Sequence, residues 1–426
     1  MTRSAWQRIR VAELVASGDA EVKTGPFGTQ LRASDYVETG TPVINVRNIG
    51  FGGIRADKLE YIADETVQRL SGHVLHPGDI VFGRKGAVER HVLIRDQQCK
   101  WFQGSDCLRL RLRTDRVLPQ FLSYYLLTRD HQTWMMQQCS HGATMASLNQ
   151  DIVGRIEFSA PGPAEQESIA SILSAYDDLI ENNTRRITIL EEMARRIYEE
   201  WFVRFRFPGH EGVRMVESEL GLVPEGWRVT VLGQLAEVNA RSVRRGAEPT
   251  EIRYVDISSV TTGSIDNKQR MPFADAPGRA RRIVRDGDVI WACVRPNRKS
   301  YALVIDPEPN LLVSTGFAVL SPAAAPSSFL YQCVTTDNFV SHLVNHAKGA
   351  AYPAVGAEDF ESAKVLRPTN ELVRAFDRIA EPMMRLVAIL QVKNTVLRTT
   401  RDLLLPKLIA GELDVSAMRE PEAPAS

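Results

Sequence analysis

The stretch that decides the fold is residues 163–205, PAEQESIASILSAYDDLIENNTRRITILEEMARRIYEEWFVRF. Its apolar residues recur at spacings of three and four, with one spacing of seven, which predicts one amphipathic helix with a single buried stripe. The stripe consists of Ile169, Ile172, Leu173, Tyr176, Leu179, Ile180, Ile187, Leu190, Met193, Ile197, Tyr198 and Trp201. At about 1.5 Å per residue the helix is about 60 Å long, more than a small domain is wide. A coiled-coil stalk or a dimerisation rod is the simplest interpretation, and a helix that spans between other parts of the chain is the alternative.

The composition indicates a globular protein with more than one domain. The chain has 426 residues, 44% hydrophobic and 24% charged, which is enough for two or three cores. Its 52 Lys and Arg balance 52 Asp and Glu, which argues against non-specific coating of nucleic acid but allows local basic patches. The cysteines are scattered and form no CxxC pair, which predicts reduced thiols in a cytoplasmic protein. No signal peptide is recognisable. No run of about 18 apolar residues occurs, so no membrane span is expected.

The chain contains an internal repeat in which a globular segment precedes a helix. Three pairs of anchor residues recur at offsets between 205 and 209 residues. The pairs are Gly78 with Gly287, Gly142 with Gly349 and Pro163 with Pro368. The side chains between the anchors differ, so the repeat predicts two modules that do the same job on different targets. The aspartates after the first pair, Asp79 and Asp288, are interpreted as β-turn residues before a strand rather than as catalytic groups.

Local patterns predict the elements of each module. Short apolar runs predict strands at 42–46, 79–82, 91–94 and 108–112, and residues 119–138 are helical in pattern. A second long helical pattern covers residues 369–408, and Pro382 inside it predicts a kink or a break.

Three segments resemble the specificity subunits of type I restriction–modification systems. Residues 163–202 match the family's central conserved helix, PxEQxxIAxIL followed by LExMAxxIYxxWF. Residues 223–227, VPEGW, match the entry to the second target recognition domain, and residues 401–415, RDLLLPKLIAGELDV, match the family's ending. The resemblance covers nearly the whole chain. It implies an α+β fold in which two strand-rich target recognition domains are joined by two long antiparallel conserved helices, with an internal pseudo-twofold repeat.

The resemblance also implies the domain boundaries. These are recognition domain 1 at 1–162, the central helix at 163–206, a linker at 207–226, recognition domain 2 at 227–368, the distal helix at 369–412 and a disordered tail at 413–426.

In this family each recognition domain reads one half of a bipartite double-stranded DNA site, and the helices set the gap between the halves. The implied partners are two copies of a DNA adenine methyltransferase subunit and, in some systems, a restriction and translocase subunit. No cofactor is expected in this chain. S-adenosylmethionine is expected in the methyltransferase partner, and ATP and Mg in the nuclease partner.

Sequence motifs for catalysis are missing. The chain has no N/D-P-P-Y/F motif for a flipped adenine, no F-x-G-x-G loop for S-adenosylmethionine and no GxxxxGK[ST] loop for ATP. We therefore expect a non-catalytic subunit. A methyltransferase fused to its own recognition domains, and a structural coiled-coil protein, are the alternatives.

Candidate DNA-binding residues lie in basic and polar loops. Arg84-Lys85 and Arg295–Lys299 follow matching predicted strands in the two halves, where Arg and Lys can pair with guanine, Asn with adenine, and all can hold phosphates. Loops at 23–30, which resembles a loop of one class of recognition domain, 142–149 and 348–352 are further candidates. The set is Lys23, Thr24, Gly25, Phe27, Arg84, Lys85, Thr144, Arg295, Asn297, Arg298, Lys299, Lys348 and Tyr352. A solvated loop is the alternative for each.

Candidate partner-binding residues lie near the ends of both long helices. Tyr198, Trp201 and Phe202 form an aromatic cluster that predicts either core packing or a surface for methyltransferase docking. Leu403 and Leu404 of the family-like ending complete the set.

Overall fold

The computed structural model describes residues 6–28, 30–139 and 146–415. The chain divides into two compact units. The first unit is Met1–Ile180 with Thr395–Ser426, and the second unit is Glu181–Asn394. Thr144 and most of the tail that the sequence predicts to be disordered lie outside the described residues.

The first unit combines short helices with many short strands. Its helices are Val11–Ala16, Asp64–Arg69, Pro119–Leu126, Arg129–Cys139 and Gln150–Gly154. Its strands are Gln7–Arg10, Ala20–Thr24, Tyr36–Val37, Thr41–Ile44, Phe51–Gly52, Glu60–Ile62, Ile80–Gly83, His91–Leu93, Phe102–Gln103, Cys107–Leu112 and Glu157–Ala160. The strands predicted near 42, 80, 91 and 108 are confirmed, and the single helical patch after residue 119 is in fact two helices.

The second unit has the same kind of content. Its short helices are Ser327–Thr335, Asp337–His346 and Ala357–Glu361. Its strands are Met215–Ser218, Gly221–Pro224, Arg228–Val231, Ala236–Val238, Glu251–Val255, Val260–Thr261, Ser264–Ile265, Gln269–Pro272, Ala280–Ile283, Val289–Ala292, Tyr301–Leu303, Leu311–Ser314, Phe317–Pro322 and Lys364–Arg367. Two long helices, Pro163–Tyr198 and Asn370–Ile409, complete the chain. Together these elements confirm the predicted α+β class.

The sheet topology confirms the internal repeat. Four neighbouring strands have the same order in a sheet of each unit. In the first unit the order is Ala20–Thr24, Cys107–Leu112, Ile80–Gly83, His91–Leu93, and in the second it is Ala236–Val238, Phe317–Pro322, Val289–Ala292, Tyr301–Leu303. Each unit also has a four-stranded sheet that contains one parallel pair. The parallel pairs are Thr41–Ile44 with Phe102–Gln103 and Glu251–Val255 with Leu311–Ser314.

The anchor aspartates are structural, as predicted. Asp79 is buried, accepts the backbone N–H of His76 at 2.8 Å and pairs with Arg111 at 2.6 Å. Asp288 is likewise buried and accepts the backbone N–H of Arg285 at 2.7 Å. In both halves the carboxylate closes the turn before the central strand, Ile80–Gly83 or Val289–Ala292. Asp288, however, takes its arginine, Arg241, from the segment that follows the strand Ala236–Val238. A buried carboxylate needs such pairing because it loses its water on folding.

The helix Pro163–Tyr198 differs in one respect from the predicted buried stripe. Ile169 and Leu173 are buried in the core of the first unit. Leu179 and Met193, by contrast, are 51% and 44% exposed. The helix ends in one π-helical turn, Glu199–Val203.

Of the kink or break predicted at Pro382, the break is wrong, because the helix Asn370–Ile409 continues through this residue. Pro382 is exposed, while Ala380 and Met384 on either side are buried in the core of the second unit. The helix tolerates the proline because tertiary packing outweighs its local cost.

Within the second unit the two long helices run antiparallel. Tyr198 lies against Phe376, with ring centroids 5.8 Å apart. Farther along, Asn183 donates to the side-chain oxygen of Asn394 at 3.0 Å, and Asn394 donates to Thr184 at 3.2 Å. Asn394 is 2% exposed, so this layer is a buried polar contact of the kind that fixes the register of paired helices.

Candidate nucleic-acid interface

Strand register brings two predicted loops of the first unit to one edge of its central sheet. The strand Cys107–Leu112 lies between Ala20–Thr24 and Ile80–Gly83. Where these strands end, the N–H of Gly25 donates to the carbonyl of Cys107 and the N–H of Arg84 donates to the carbonyl of Asp106, both at 2.8 Å. The chain therefore leaves the sheet as two neighbouring loops.

A third segment joins these two loops. Residue 85 forms an isolated β-bridge with residue 147, and the N–H of Leu148 donates to the carbonyl of Arg84 at 2.8 Å. Gln150 donates from its side chain to the hydroxyl of Thr24 at 3.0 Å. We call residues 23–27, 84–86 and 146–150 the first loop junction. Thr144 lies outside the described residues.

The predicted residues of the first loop junction differ in exposure. Phe27 is 62% exposed, and the Lys85 side chain is 55% exposed beside Asp106 at 3.2 Å. Lys23 is a strand residue, not a loop residue, and its ammonium donates to the carbonyl of Gly72 at 3.1 Å. Thr24 ends the same strand, and Arg84 is half-buried. Phe27 and Lys85 are thus the most accessible predicted side chains here.

Gly25 has a steric role. A Cβ at this position would lie 2.0 Å from the carbonyl oxygen of Gly104. Any side chain would therefore push the loop away from the sheet edge, so Gly25 shapes the junction.

The second unit forms an equivalent junction from its own loops. The N–H of Arg295 donates to the carbonyl of Pro353 at 2.7 Å, and the N–H of Val355 donates to the carbonyl of Cys293 at 3.0 Å. Residues 348 and 354 pair in both directions at 2.9 Å. We call residues 293–299 and 348–355 the second loop junction. In both units the loop after the central strand pairs with the segment before a short helix, Gln150–Gly154 or Ala357–Glu361.

Arg295 is fixed in place at the second loop junction. Its guanidinium carbon lies 4.7 Å from the ring centroid of Tyr352 and its terminal nitrogen donates to the carbonyl of Ala351 at 3.2 Å. Its backbone has φ 54°, in the left-handed region. Tyr352 is 68% exposed, so the stacked pair presents a flat cationic and aromatic surface.

The other predicted residues of this junction fall into two groups. Asn297, Arg298 and Lys348 are exposed. Lys299 instead forms an ion pair with Asp337 at 2.8 Å, and this contact lowers the pKa of Asp337. Lys299 therefore already has an internal counter-ion.

Sequence reasoning missed Asp106, the acidic member of the first loop junction. It lies in the turn between the strands Phe102–Gln103 and Cys107–Leu112, where its carbonyl accepts the N–H of Arg84 and its carboxylate pairs with Lys85. Gly104-Ser105-Asp106, a run of turn residues before the predicted strand at 108–112, could have indicated it. The pairing of 84–86 with 146–148 spans about sixty residues and leaves no periodic signal.

The predicted partner-binding residues have different environments. Tyr198 and Phe202 are buried in the core of the second unit, where Phe202 lies 5.0 Å from Phe329 between ring centroids. Trp201 is half-buried against Phe376. The structure thus gives Tyr198 and Phe202 the packing role. Leu404 packs on the core of the first unit, whereas Leu403 is 64% exposed.

The described ranges contain neither a metal-binding cluster nor a membrane-spanning helix. No group of three or more His, Cys, Asp or Glu side chains in this part of the chain is arranged to hold a metal ion. None of the helices described has the length and apolarity that a membrane crossing requires.

Comparisons with known proteins agree with the resemblance. The family profile described as "Type I restriction modification DNA specificity domain" matches residues 21–192. The chain is 25% identical to the type I restriction enzyme MjaIX specificity subunit of Methanocaldococcus jannaschii, over 84% of this chain and 82% of that one. It is 22% identical to the type I restriction enzyme HindI specificity subunit of Haemophilus influenzae, over 87% of this chain and 94% of that one.

A solved structure has the same fold. The S subunit of a type I restriction–modification system from M. genitalium superposes with a TM-score of 0.63 at 15% identity, covering 96% of this chain and 97% of that one. The matched profile, the relatives and this shared fold thus agree that the chain is similar to the specificity subunits of type I restriction–modification systems.

Proposed function

We propose that this chain reads a bipartite double-stranded DNA site, one half with each unit, and that it carries no catalytic group itself. The observation that supports this most directly is the repeated loop junction. The same backbone pairing presents exposed cationic and aromatic side chains in both units, while the side chains themselves differ. Two readers with one scaffold and different surfaces suit two different half-sites.

The second loop junction suggests how bases are read. A guanidinium held by stacking and a backbone hydrogen bond loses little freedom on binding, and its fork of donors matches O6 and N7 of guanine. Arg295 is in this state. Asn297 beside it offers the amide that pairs with adenine. We assign Arg295 and Asn297 to base contacts, and Arg298 and Lys348 to phosphate.

The first loop junction offers fewer free charges. Lys85 is balanced by Asp106, and the whole chain has equal numbers of basic and acidic residues. Since phosphate neutralisation supplies most non-specific affinity, we propose that partners close around the DNA and supply part of the binding. These partners are two copies of a DNA adenine methyltransferase subunit, which would hold S-adenosylmethionine. In a system that has a restriction and translocase subunit, this subunit would use ATP and Mg and join them in the cytoplasm.

The long helices are the proposed docking surface and the proposed ruler for the gap. In the second unit Ile389 and Val392 are 50% and 61% exposed, and in the first unit Val396 and Leu403 are 59% and 64% exposed. A contiguous patch of exposed apolar side chains commonly marks a protein interface.

The experiment that tests the proposal is a map of adenine methylation in cells with and without the gene. A split motif with two short half-sites should disappear with the gene. In cells that carry Arg295→Ala with Asn297→Ala, methylation should lose base selectivity in one half-site and keep it in the other. Arg270→Ala removes an exposed arginine paired with Glu251 and is the matched control. Equal loss at both half-sites in the double variant would contradict the two-reader proposal.

A further inference from the structure

The second unit contains a pocket that the loop junctions do not use. It has a volume of about 260 Å³, far above the ~15 Å³ that one water needs. Its walls come from both long helices, from the turn at Gly263 and from the strand Tyr301–Leu303. Leu303, Met384 and Val387 give it an apolar side.

One carboxylate at this pocket has no counter-ion among the residues that the structure describes. Glu191 lies on the wall that the helix Pro163–Tyr198 provides. Within residues 6–28, 30–139 and 146–415, no group makes a hydrogen bond or an ion pair with its carboxylate. One carboxylate oxygen and the hydroxyl of Tyr331 each lie 3.4 Å from the point that a Cβ on Gly263 would occupy. Both oxygens therefore border the same small volume, which the absent side chain of Gly263 leaves open.

The other groups at the pocket favour a cation. Arg195 is the basic residue of the lining, and its charge is taken up by Glu192 and Glu199 on the same helix. The rings of Tyr301 and Tyr331 meet edge to face with centroids 6.0 Å apart. A concave site with one free carboxylate and two aromatic rings attracts a positive group and disfavours an anion.

We infer that this pocket binds an alkylammonium or guanidinium group on a hydrocarbon stem. The charged end lies between Glu191 and the hydroxyl of Tyr331, and the stem lies along Leu303, Met384 and Val387. A lysine or arginine side chain of a protein partner has this chemistry, and so does a free aliphatic amine. The inference goes beyond the proposed DNA reading and does not depend on it.

The test is a calorimetric titration of the full chain, without DNA, in a buffer free of amines. The probes are n-butylammonium and n-butylguanidinium, with 1-butanol as the uncharged comparison. Wild type should bind both cations saturably and 1-butanol more weakly. Glu191→Gln should weaken cation binding about tenfold or more, the scale of one charge-assisted hydrogen bond. Glu181→Gln, on the same helix but outside the pocket lining, is the matched control and should bind like wild type.

Variants in which a bulky side chain fills the pocket test whether the cations bind there. Ala388→Trp places a large ring on the wall provided by the helix Asn370–Ile409 and should abolish cation binding. Thr188→Trp, on the exposed wall of the other helix, serves the same purpose if the first variant does not fold. Saturable binding that survives in the filled, folded variant would overturn the inference, as would equal affinity of wild type and Glu191→Gln, or no binding to wild type.

A second experiment distinguishes a basic side chain of a protein partner from a free aliphatic amine as the occupant of the pocket. It uses the methyltransferase subunit of the proposed function. Weaker capture of that subunit by Glu191→Gln than by Glu181→Gln identifies a basic side chain of the partner as the occupant. Unchanged capture, together with lost n-butylammonium binding, identifies a free cation. Either result supports the pocket, and neither depends on which DNA sequence the chain recognises.

Discussion

At the scale of single residues, Arg295 has a backbone conformation that arginine rarely adopts. Its φ of 54° costs about 1–2 kcal/mol in a residue with a Cβ. The surrounding pairing with Pro353 and Ala351 maintains this conformation. Strain of this kind collects at binding sites because the site, not the local chain, selects the conformation.

Arg295→Gly should therefore separate stability from DNA binding. Glycine adopts the left-handed region without the steric cost, so the free energy of unfolding should stay the same or rise by up to about 1 kcal/mol. Affinity for DNA with the cognate second half-site should fall about tenfold or more, as the loss of one bidentate base contact implies. Urea unfolding and DNA titration of the assembled complex measure the two effects. Asn310→Gly, also left-handed at φ 59° but outside both junctions, should leave DNA affinity unchanged; a matching loss there would argue against the assignment of Arg295.

Two buried histidines of the first unit make its stability depend on pH. Burial lowers the pKa of His91 to about 3 and that of His131 to about 4. The unfolded chain takes up these protons near pH 6.5, whereas the folded unit does not. Stability should thus be constant above pH 7 and fall as pH drops from about 6.5 towards 4, by at most about 1.4 kcal/mol per pH unit for each histidine.

Urea unfolding of the full chain between pH 7 and pH 5 measures this slope for the transition of the first unit. His91→Gln with His131→Gln should make it shallower, because neither glutamine titrates; His73, whose pKa burial also lowers, accounts for part of the slope that is left. His346→Gln, at an exposed position of the second unit, should leave it unchanged. The same slope in the double variant would mean that other groups cause the acid sensitivity.

At the scale of elements, the end of the central helix shows that two adjacent residues can have opposite environments. Phe202 is buried among Phe329, Phe376 and Trp227, whereas the adjacent Val203 is 47% exposed. The aromatic cluster was visible in the sequence. Core packing was one of its two predicted roles. Which of its side chains are buried was not predicted, because the π-helical turn shifts the side chains from the regular spacing that a pattern analysis assumes.

Phe202→Ala should destabilise the second unit by about 3–5 kcal/mol, since it removes a buried ring and leaves a cavity. Val203→Ala should cost no more than about 0.5 kcal/mol, as for other surface positions. Thermal unfolding of both variants gives the comparison. Similar, small effects of the two substitutions would contradict the packing role and return Phe202 to the candidate docking residues.

The distal helix shows an effect of tertiary packing that a local sequence pattern does not contain. Pro382 predicts an interruption from its own chemistry, yet Phe376, Ala380, Met384 and Leu390 are all buried along one side of an unbroken helix. Burial of several large side chains is worth more than the about 3 kcal/mol that one interior proline costs. Such compensation comes from residues distant in sequence, which no local pattern contains.

At the scale of the whole molecule, the repeat was the part of the structure that the sequence predicted best. Gly78 and Gly287, which precede the buried aspartates, both have a left-handed φ, of 88° and 84° respectively. Glycine adopts this region without steric cost, so the same turn requires a glycine at this position in each half. The loop junctions could not be predicted in the same way. Their members, such as Lys85 with Ser147 and Val294 with Ala354, pair through backbone atoms, and backbone pairing leaves no constraint on residue type.

The proposed ruler makes a prediction about the gap between the half-sites. Four residues inserted between Ile180 and Glu181, with four more between Asn394 and Thr395, lengthen both helices where the two units divide. Contacts inside each unit, such as Asp177 with Arg401 and Asn183 with Asn394, are then preserved. The added helix is about 6 Å long, so the methylated motif should keep both half-sites while its gap grows by about one or two base pairs of about 3.4 Å.

Methylation mapping measures the gap and the half-sites in one experiment. Insertion in the central helix alone is the control. It leaves the helices unequal in length, so methylation should be lost rather than shifted. A changed half-site after the double insertion would mean that the helices influence base reading. An unchanged gap would mean that a partner, and not this chain, sets the distance between the two readers.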